Sequence, residues 1–274
     1  MVVFPNAKIN LGLHVLAKRN DGYHDLETVF YPLPFYDALE MIRQPAGSEL
    51  SFSSGGLSLV GEANDNLCVK AYNLLKKDFP AIPPIQMYLH KAIPSGAGLG
   101  GGSADASFAL KLLNEMAALG LSAEQLLQYS LQLGSDCPFF IINKPCFATG
   151  RGEQLETVNI DLSHYSFVIV NPGIHVPTGP AFSWLQPALP AVSLKEIIAS
   201  PVDTWKDKLI NDFEAPVFIR YPEIKAIKEE LYNKGAVYAS MSGSGSTVYG
   251  IFPRKMALNI SFPEKYYVKH LGAC

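Results

Sequence analysis

Five of the seven residues from Gly96 to Gly102 are glycine, inside the run PSGAGLGGGSADAS from Pro94 to Ser107. The run follows QMYLHKAIP, which alternates like a strand, and precedes FALKLLNEM, which has the apolar spacing of a helix. A flexible linker lacks such flanks, so this part of the chain is constrained to a strand, a tight loop and a helix in succession. Without Cβ atoms, successive backbone N–H groups can converge on one point, and the positive end of the following helix dipole adds to them. That combination suits phosphate oxygens. No Gly-Lys-Ser/Thr closes the loop as in a Walker A sequence. Gly96, Gly98 and Gly101 fit G-x-G-x-x-G, yet the preceding strand lies far from the start of the chain and no acidic strand end follows at dinucleotide spacing.

With 274 residues, 48% of them hydrophobic, the chain can bury a full core and is expected to form two lobes, 1–157 and 158–274. Formal net charge is −3 and the basic residues are scattered, which argues against a nucleic-acid or membrane-surface partner and for a small molecule. Cys68, Cys137, Cys146 and Cys274 form no C-x-x-C pair and have no His at zinc-ligand spacing, which favours reduced thiols. The opening MVVFPNAKINLGLHVL has no basic segment ahead of a long apolar core, and no apolar run approaches a membrane span. A soluble cytoplasmic protein is expected.

Residues 7–16 alternate, with Ile9, Leu11, Leu13 and Val15 on one face and Lys8, Asn10 and His14 on the other. Asp21-Gly22 marks a turn into further antiparallel strand, and SELSFSSGGLSLVG reads as a short hairpin. The spacing predicts a helix over 66–79, a strand over 85–90 and a helix over 104–119 with Gly120 as its C-cap. Ser122 opens the next helix with Gln125 as capping-box partner. CPFFIIN reads as buried strand or tight turn, YSFVIVNPG as buried strand, and 206–221 and 224–233 as helices. AVYASMSGSGSTVYGIFP joins two strands through a second glycine-serine turn.

The glycine loop, the early AKINLGL, the turn RNDGYH and the late MSGSGSTVYG stand in the order found in the GHMP small-molecule kinase superfamily, which the chain resembles from Ala7 to about Tyr249. The resemblance is nearest to members that phosphorylate a cytidine-diphosphate-linked methylerythritol in non-mevalonate isoprenoid synthesis. It implies an α+β fold with an N-terminal lobe like the second domain of ribosomal protein S5, a ferredoxin-like C-terminal lobe and an active site between them. It also implies ATP and Mg²⁺ as cofactors and a monomer or homodimer.

By the same resemblance, Asp136 is the catalytic aspartate and Lys8 pairs with it. A carboxylate in reach of a hydroxyl can orient it and take its proton, while an ammonium keeps the carboxylate ionised. The loop wraps the ATP phosphates through Pro94, Gly96, Gly98, Leu99, Gly100, Gly101, Gly102 and Ser103, the Ser103 hydroxyl contacting a phosphate or Mg²⁺ or capping the helix. Asn66, Leu67 and Lys91 line the adenine pocket. Tyr23 stacks on the cytosine, His24 reads its edge, and Phe182 covers the other ring face. Asn10, Gly243 and Ser244 bind the acceptor. Several relatives carry Ser at the position of Ala104 and Ala at that of Ser107, and the Glu that holds Mg²⁺ in other members has no match. A kinase of mevalonate, homoserine or a sugar would have no use for Tyr23, His24 and Phe182 around a base. A nucleotide-binding regulator without turnover would not need both Lys8 and Asp136.

Overall fold

The computed structural model describes residues 1–59, 61–256 and 260–272; Cys274 lies outside them. In chain order the elements are β1 (Val2–Val3), β2 (Asn6–Lys18), β3 (His24–Tyr36), β4 (Ala38–Arg43), β5 (Ser51–Gly56), α1 (Leu67–Asp78), β6 (Ile85–Lys91), α2 (Gly101–Met116), α3 (Ala123–Leu133), α4 (Cys137–Ile142), β7 (Cys146–Thr149), β8 (Gln154–Thr157), β9 (Tyr165–Asn171), α5 (Thr178–Ser183), α6 (Leu194–Ile197), α7 (Glu214–Arg220), α8 (Pro222–Asn233), β10 (Tyr238–Met241), β11 (Val248–Pro253) and β12 (Tyr267–Leu271). No helix among the described residues is long and apolar enough to cross a membrane. The chain forms two compact units, each discontinuous in sequence.

The first unit comprises residues 1–7, 35–95 and 100–144. Its sheet has the order β1-β4-β6-β5, and α1, α2 and α3 supply Ala71, Leu75, Leu110, Leu113 and Leu126 to the core formed with Leu39, Met87 and Leu89. SFSSGG does not fold back as a hairpin. It joins β6 in parallel, because Gly56 turns at φ +79° and the Leu57 N–H donates to the Lys91 carbonyl at 2.8 Å. The α2 helix starts three residues earlier than its spacing predicts, since Gly100 at φ +70° serves as its N-cap. It also stops earlier, with Ala117 as its C-cap; Gly120 does take a left-handed turn at φ +68°, but beyond the helix end and after Ala118 at φ +50°, and the Asn114 side chain bonds the N–H and carbonyl of Leu121. The Ser122 capping box forms as expected. CPFFII is a helix, with Pro138 in the first turn, where its missing N–H leaves no bond unmade.

The second unit comprises residues 8–34, 96–99 and the described residues from Pro145 onward. It holds the sheets β2-β3-β7-β8 and β10-β11-β9-β12, with α7 and α8 contributing Val217, Ile224, Ile227 and Leu231 to the core beside Val168, Val170 and Val248. The predicted helix over 206–221 is confined to α7. Ahead of it, the Asn211 side chain accepts the Phe213 N–H, and Asp212 accepts the Val15 N–H at 2.8 Å and meets His14 Nδ1 at 3.0 Å. These bonds give the segment partners a helix would not supply. Gly12, at φ +71°, packs against Leu194 and lets β2 turn to pair Leu13 with Ile210 and Asp212.

Candidate active site

In the second unit β2 is buried on both faces, so Lys8 and Asn10 are core residues, 3% and 2% exposed, not an exposed polar edge. Lys8 Nζ donates to Asn10 Oδ1 at 2.7 Å and sits 4.9 Å over the Phe30 ring. Asn10 Nδ2 donates to Thr28 Oγ1, whose hydroxyl donates to the Gly12 carbonyl. The Asn10 backbone is fixed as well: its N–H donates to Ser242 Oγ and its carbonyl accepts from Tyr249 Oη at 2.7 Å.

Residues 96–99 of the glycine loop are stitched into this network. The Leu99 carbonyl accepts the Lys8 N–H at 2.9 Å and the Ala97 carbonyl accepts the Thr247 N–H at 3.3 Å. Ser242 Oγ donates to the Gly98 carbonyl at 2.7 Å. Gly98 has φ +79°, and a Cβ there would collide with the Ser242 carbonyl oxygen. Only glycine allows so close an approach of two backbones. Asn211 Nδ2 holds the carbonyls of Met241 and Gly243 at 2.7 and 2.8 Å, and Ser244 Oγ lies 3.0 Å from Thr178 Oγ1.

The aromatic residues form a separate group in the same unit. His24 and Phe182 stack with centroids 4.7 Å apart and planes 14° apart, so no base fits between these two rings. Phe213 meets Phe182 edge-on at 4.9 Å. Tyr23 is exposed, with the Arg151 guanidinium 4.7 Å from its ring and its N–H donated to Asp21. Burial, and then the nearby Lys18, hold His24 below the usual imidazole pKa, so at neutral pH it offers one donor and one acceptor.

In the first unit Asn66 caps α1, accepting the Cys68 N–H at 2.9 Å, and Leu67 is the first helical residue. Pro94 and Ser103 are half-buried, and Gly102 is exposed. A Cβ on Gly101 would point inward, 2.9 Å from Ile93 Cγ2 and 3.2 Å from Lys91 Nζ. Helix-to-strand packing, not approach to a ligand, requires glycine there. The Ser107 hydroxyl lies 2.8 Å from the carbonyls of Ser103 and Cys137, tying α2 to the start of α4, at whose N-cap position stands half-buried Asp136. The Cys137 thiol is pushed up to about 11 by burial and is inert at neutral pH.

The Lys91 side chain is buried in an ion cluster. Its ammonium donates to Asp105 Oδ2 at 2.7 Å and to Asp37 Oδ2. Burial pulls the Lys91 pKa down, and the two carboxylates together outweigh it and raise it. Burial pushes Asp105 up to about 7 against the pull of Lys91. Thr28, Asp37 and Asn211 lie in no motif of the sequence; Asp105 lies within the glycine-loop run and Ser242 and Tyr249 within MSGSGSTVYG, but neither motif gave these three a role. The one signal was β6 itself: extending its alternation by one residue puts Lys91 on the inward face and demands buried carboxylates.

Residues 66–144 match the family described as GHMP kinases N terminal domain, and residues 194–260 match GHMP kinases C terminal. The chain is 55% identical over 268 residues to a 4-diphosphocytidyl-2-C-methyl-D-erythritol kinase of Bacteroides fragilis, covering 97% of each chain. It is 46% identical to the protein of the same name from Porphyromonas gingivalis, over 94% of each. A crystal structure of 4-(cytidine 5'-diphospho)-2C-methyl-D-erythritol kinase superposes with TM-score 0.80 at 27% identity over the full length of both chains. The mevalonate kinase of Methanococcus jannaschii shares the fold, with TM-score 0.70 at 12% identity.

Proposed function

The chain belongs to the GHMP kinase family, and from that premise we propose that it transfers the γ-phosphoryl group of ATP to the 2-hydroxyl of 4-diphosphocytidyl-2-C-methyl-D-erythritol, in non-mevalonate isoprenoid synthesis in the cytoplasm. The observation that carries this reading is similarity across 97% of the chain to kinases of that substrate. The domain division at Val158 separates the two matched regions and is kept as part of it.

Phosphoryl transfer needs the phosphates held, the developing charge stabilised and the hydroxyl oriented and deprotonated. The loop from Pro94 to Ser103 supplies backbone N–H groups for the phosphates, with Asn66, Leu67 and the backbone of Lys91 toward adenine. Asp136 takes the hydroxyl proton as the acceptor oxygen bonds to the γ-phosphorus and the bond to ADP breaks. Lys8, held by Asn10 at 2.7 Å, supplies fixed positive charge in a desolvated setting, where it stabilises developing negative charge most. Gly243 and Ser244 face the acceptor. Tyr23 and Phe182 take the faces of the cytosine, and neutral His24 reads its edge. For that the Phe182 ring must leave its stack on His24.

Among the described residues no three His, Cys, Asp or Glu side chains gather as a metal site. That suits a Mg²⁺ ion held chiefly by ATP phosphates and water, with one protein oxygen such as the Ser103 hydroxyl; bound there, it would offset phosphate charge. The test is ADP release with the cytidine-diphosphate substrate, mevalonate and homoserine in parallel. Turnover confined to the first is expected. Preference for either of the others would overturn the substrate assignment.

A further inference from the structure

Strand alternation delivers a lysine into a hydrophobic core here. Lys91 shares the inward face of β6 with Ile85, Met87 and Leu89 and is 1% exposed. An unpaired ammonium at such a place is untenable, and the two carboxylates that meet it come from different directions. Asp37 lies between β3 and β4, and its second oxygen accepts the N–H groups of Ala92 and Ile93 at 2.6 and 2.9 Å, the residues that lead into the glycine loop. Asp105 lies one turn into α2. At the first residue of that helix, Gly101, a Cβ would meet Ile93 and then the same ammonium. One nitrogen atom thus ties together a strand end, the loop entry and the helix start.

Two further facts separate this cluster from an ordinary stabilising ion pair. Asp105 Oδ1 is buried with no hydrogen-bond partner, although the residue is only 3% exposed. A half-satisfied buried ion cluster is a poor source of stability compared with apolar residues of similar volume. Its members also converge on the turn whose N–H groups open α2.

We propose that Asp37, Lys91 and Asp105 are positioning residues for ATP: together they fix the angle at which the first turn of α2 leaves the strand, and so the aim of the N–H groups of Gly101, Gly102 and Ser103. The proposal rests on the reading that this turn receives the nucleotide phosphates. It places the Lys91 ammonium behind the loop, not on the nucleotide.

Two substitutions at Asp105 test it. Asp105→Ala removes the tie between helix and ammonium and leaves Lys91 paired with Asp37, whereas Asp105→Asn keeps an acceptor of the same size. Steady-state kinetics would give KM for ATP, KM for the cytidine-diphosphate substrate and kcat, with circular dichroism to verify folding. Asp105→Ala should raise KM for ATP by about tenfold or more and change the other KM by less than about twofold, because sub-ångström misaim of fixed donors is costly. Asp105→Asn should bring KM for ATP back to within about threefold of wild type. Should Asp105→Ala not fold, Asp105→Glu takes its place: it keeps the charge, displaces it by one methylene and carries the same expectation. An unchanged KM for ATP in the folded variant, or equal rises in both KM values, overturns the proposal. Gly98→Ala run alongside separates the two levels. If it raises KM for ATP and the Asp105 variants do not, only the positioning role fails; if neither moves it, the loop is not the ATP site.

Discussion

Gly96 and Gly98 offer a matched pair of perturbations, because both have positive φ, +63° and +79°, and differ in what a side chain would meet. Around Gly96 a Cβ finds nothing within 4 Å, whereas at Gly98 it runs into the carbonyl of Ser242, with that carbonyl carbon at 2.9 Å and the Gly245 oxygen at 3.4 Å. Alanine at Gly96 therefore incurs only left-handed strain, about 1–2 kcal/mol, offset by about 0.4–1 kcal/mol from a less flexible unfolded chain. The net is about 0–1.6 kcal/mol. At Gly98 the same terms apply and the collision adds about 1–3 kcal/mol of overpacking.

The Ser242 carbonyl cannot simply swing away from Gly98. The Ser242 N–H is bonded to the Thr247 carbonyl at 2.9 Å, its hydroxyl holds the Gly98 carbonyl, and Asn211 grips the carbonyls on either side. Relief would break at least the bond from Ser242 Oγ to Gly98. At about 2–4 °C per kcal/mol for a chain of this size, Gly96→Ala should lower Tm by about 0–6 °C and Gly98→Ala by about 2–18 °C, the second always the larger. The same displacement moves loop backbone, so KM for ATP should rise in Gly98→Ala and stay near wild type in Gly96→Ala. Differential scanning calorimetry and ATP titration of turnover read both effects. Equal Tm shifts in the two variants would refute the collision term, and a selective loss in Gly96→Ala would refute the assignment of the loop's contacts.

Asp136→Asn should lower kcat by roughly two or more decades with KM for ATP little changed, as loss of proton acceptance and positioning requires; near-wild-type turnover of the folded variant removes Asp136 from the chemistry. Phe182→Ala should weaken the cytidine-diphosphate substrate by about 1–3 kcal/mol, the worth of one stacked base, and leave KM for ATP alone. The wild type should use a uridine analogue poorly, since it reverses donor and acceptor at ring position 4, and equal use of the two would remove His24 from base reading.

Periodicity in this sequence identified elements well and their surroundings poorly, and the reason is the same at each site. Alternation in AKINLGL and IQMYLHK says which side chains share a face; it does not say whether that face meets water. In β2 both faces are covered, and in β6 the polar residue at the end falls on the covered one. Each lysine is therefore a core residue whose setting is completed by residues from other elements, Thr28 and Ser242 around the Asn10 that holds Lys8, Asp37 and Asp105 around Lys91 itself. Local pattern also failed where side chains supply bonds that a helix would otherwise make, as at Asn211 and Asp212. The apolar run CPFFIIN reads as buried strand or tight turn, and it is buried, but as the short helix α4. The glycine loop was legible because its constraint is local, five residues without Cβ between a strand and a helix, yet even there the reason for each glycine differs. Gly98 is required by a backbone more than a hundred residues away, Gly101 by the Ile93 side chain and the Lys91 ammonium beside it, and one motif thus records two separate demands, an open anion cradle in front and tight packing behind.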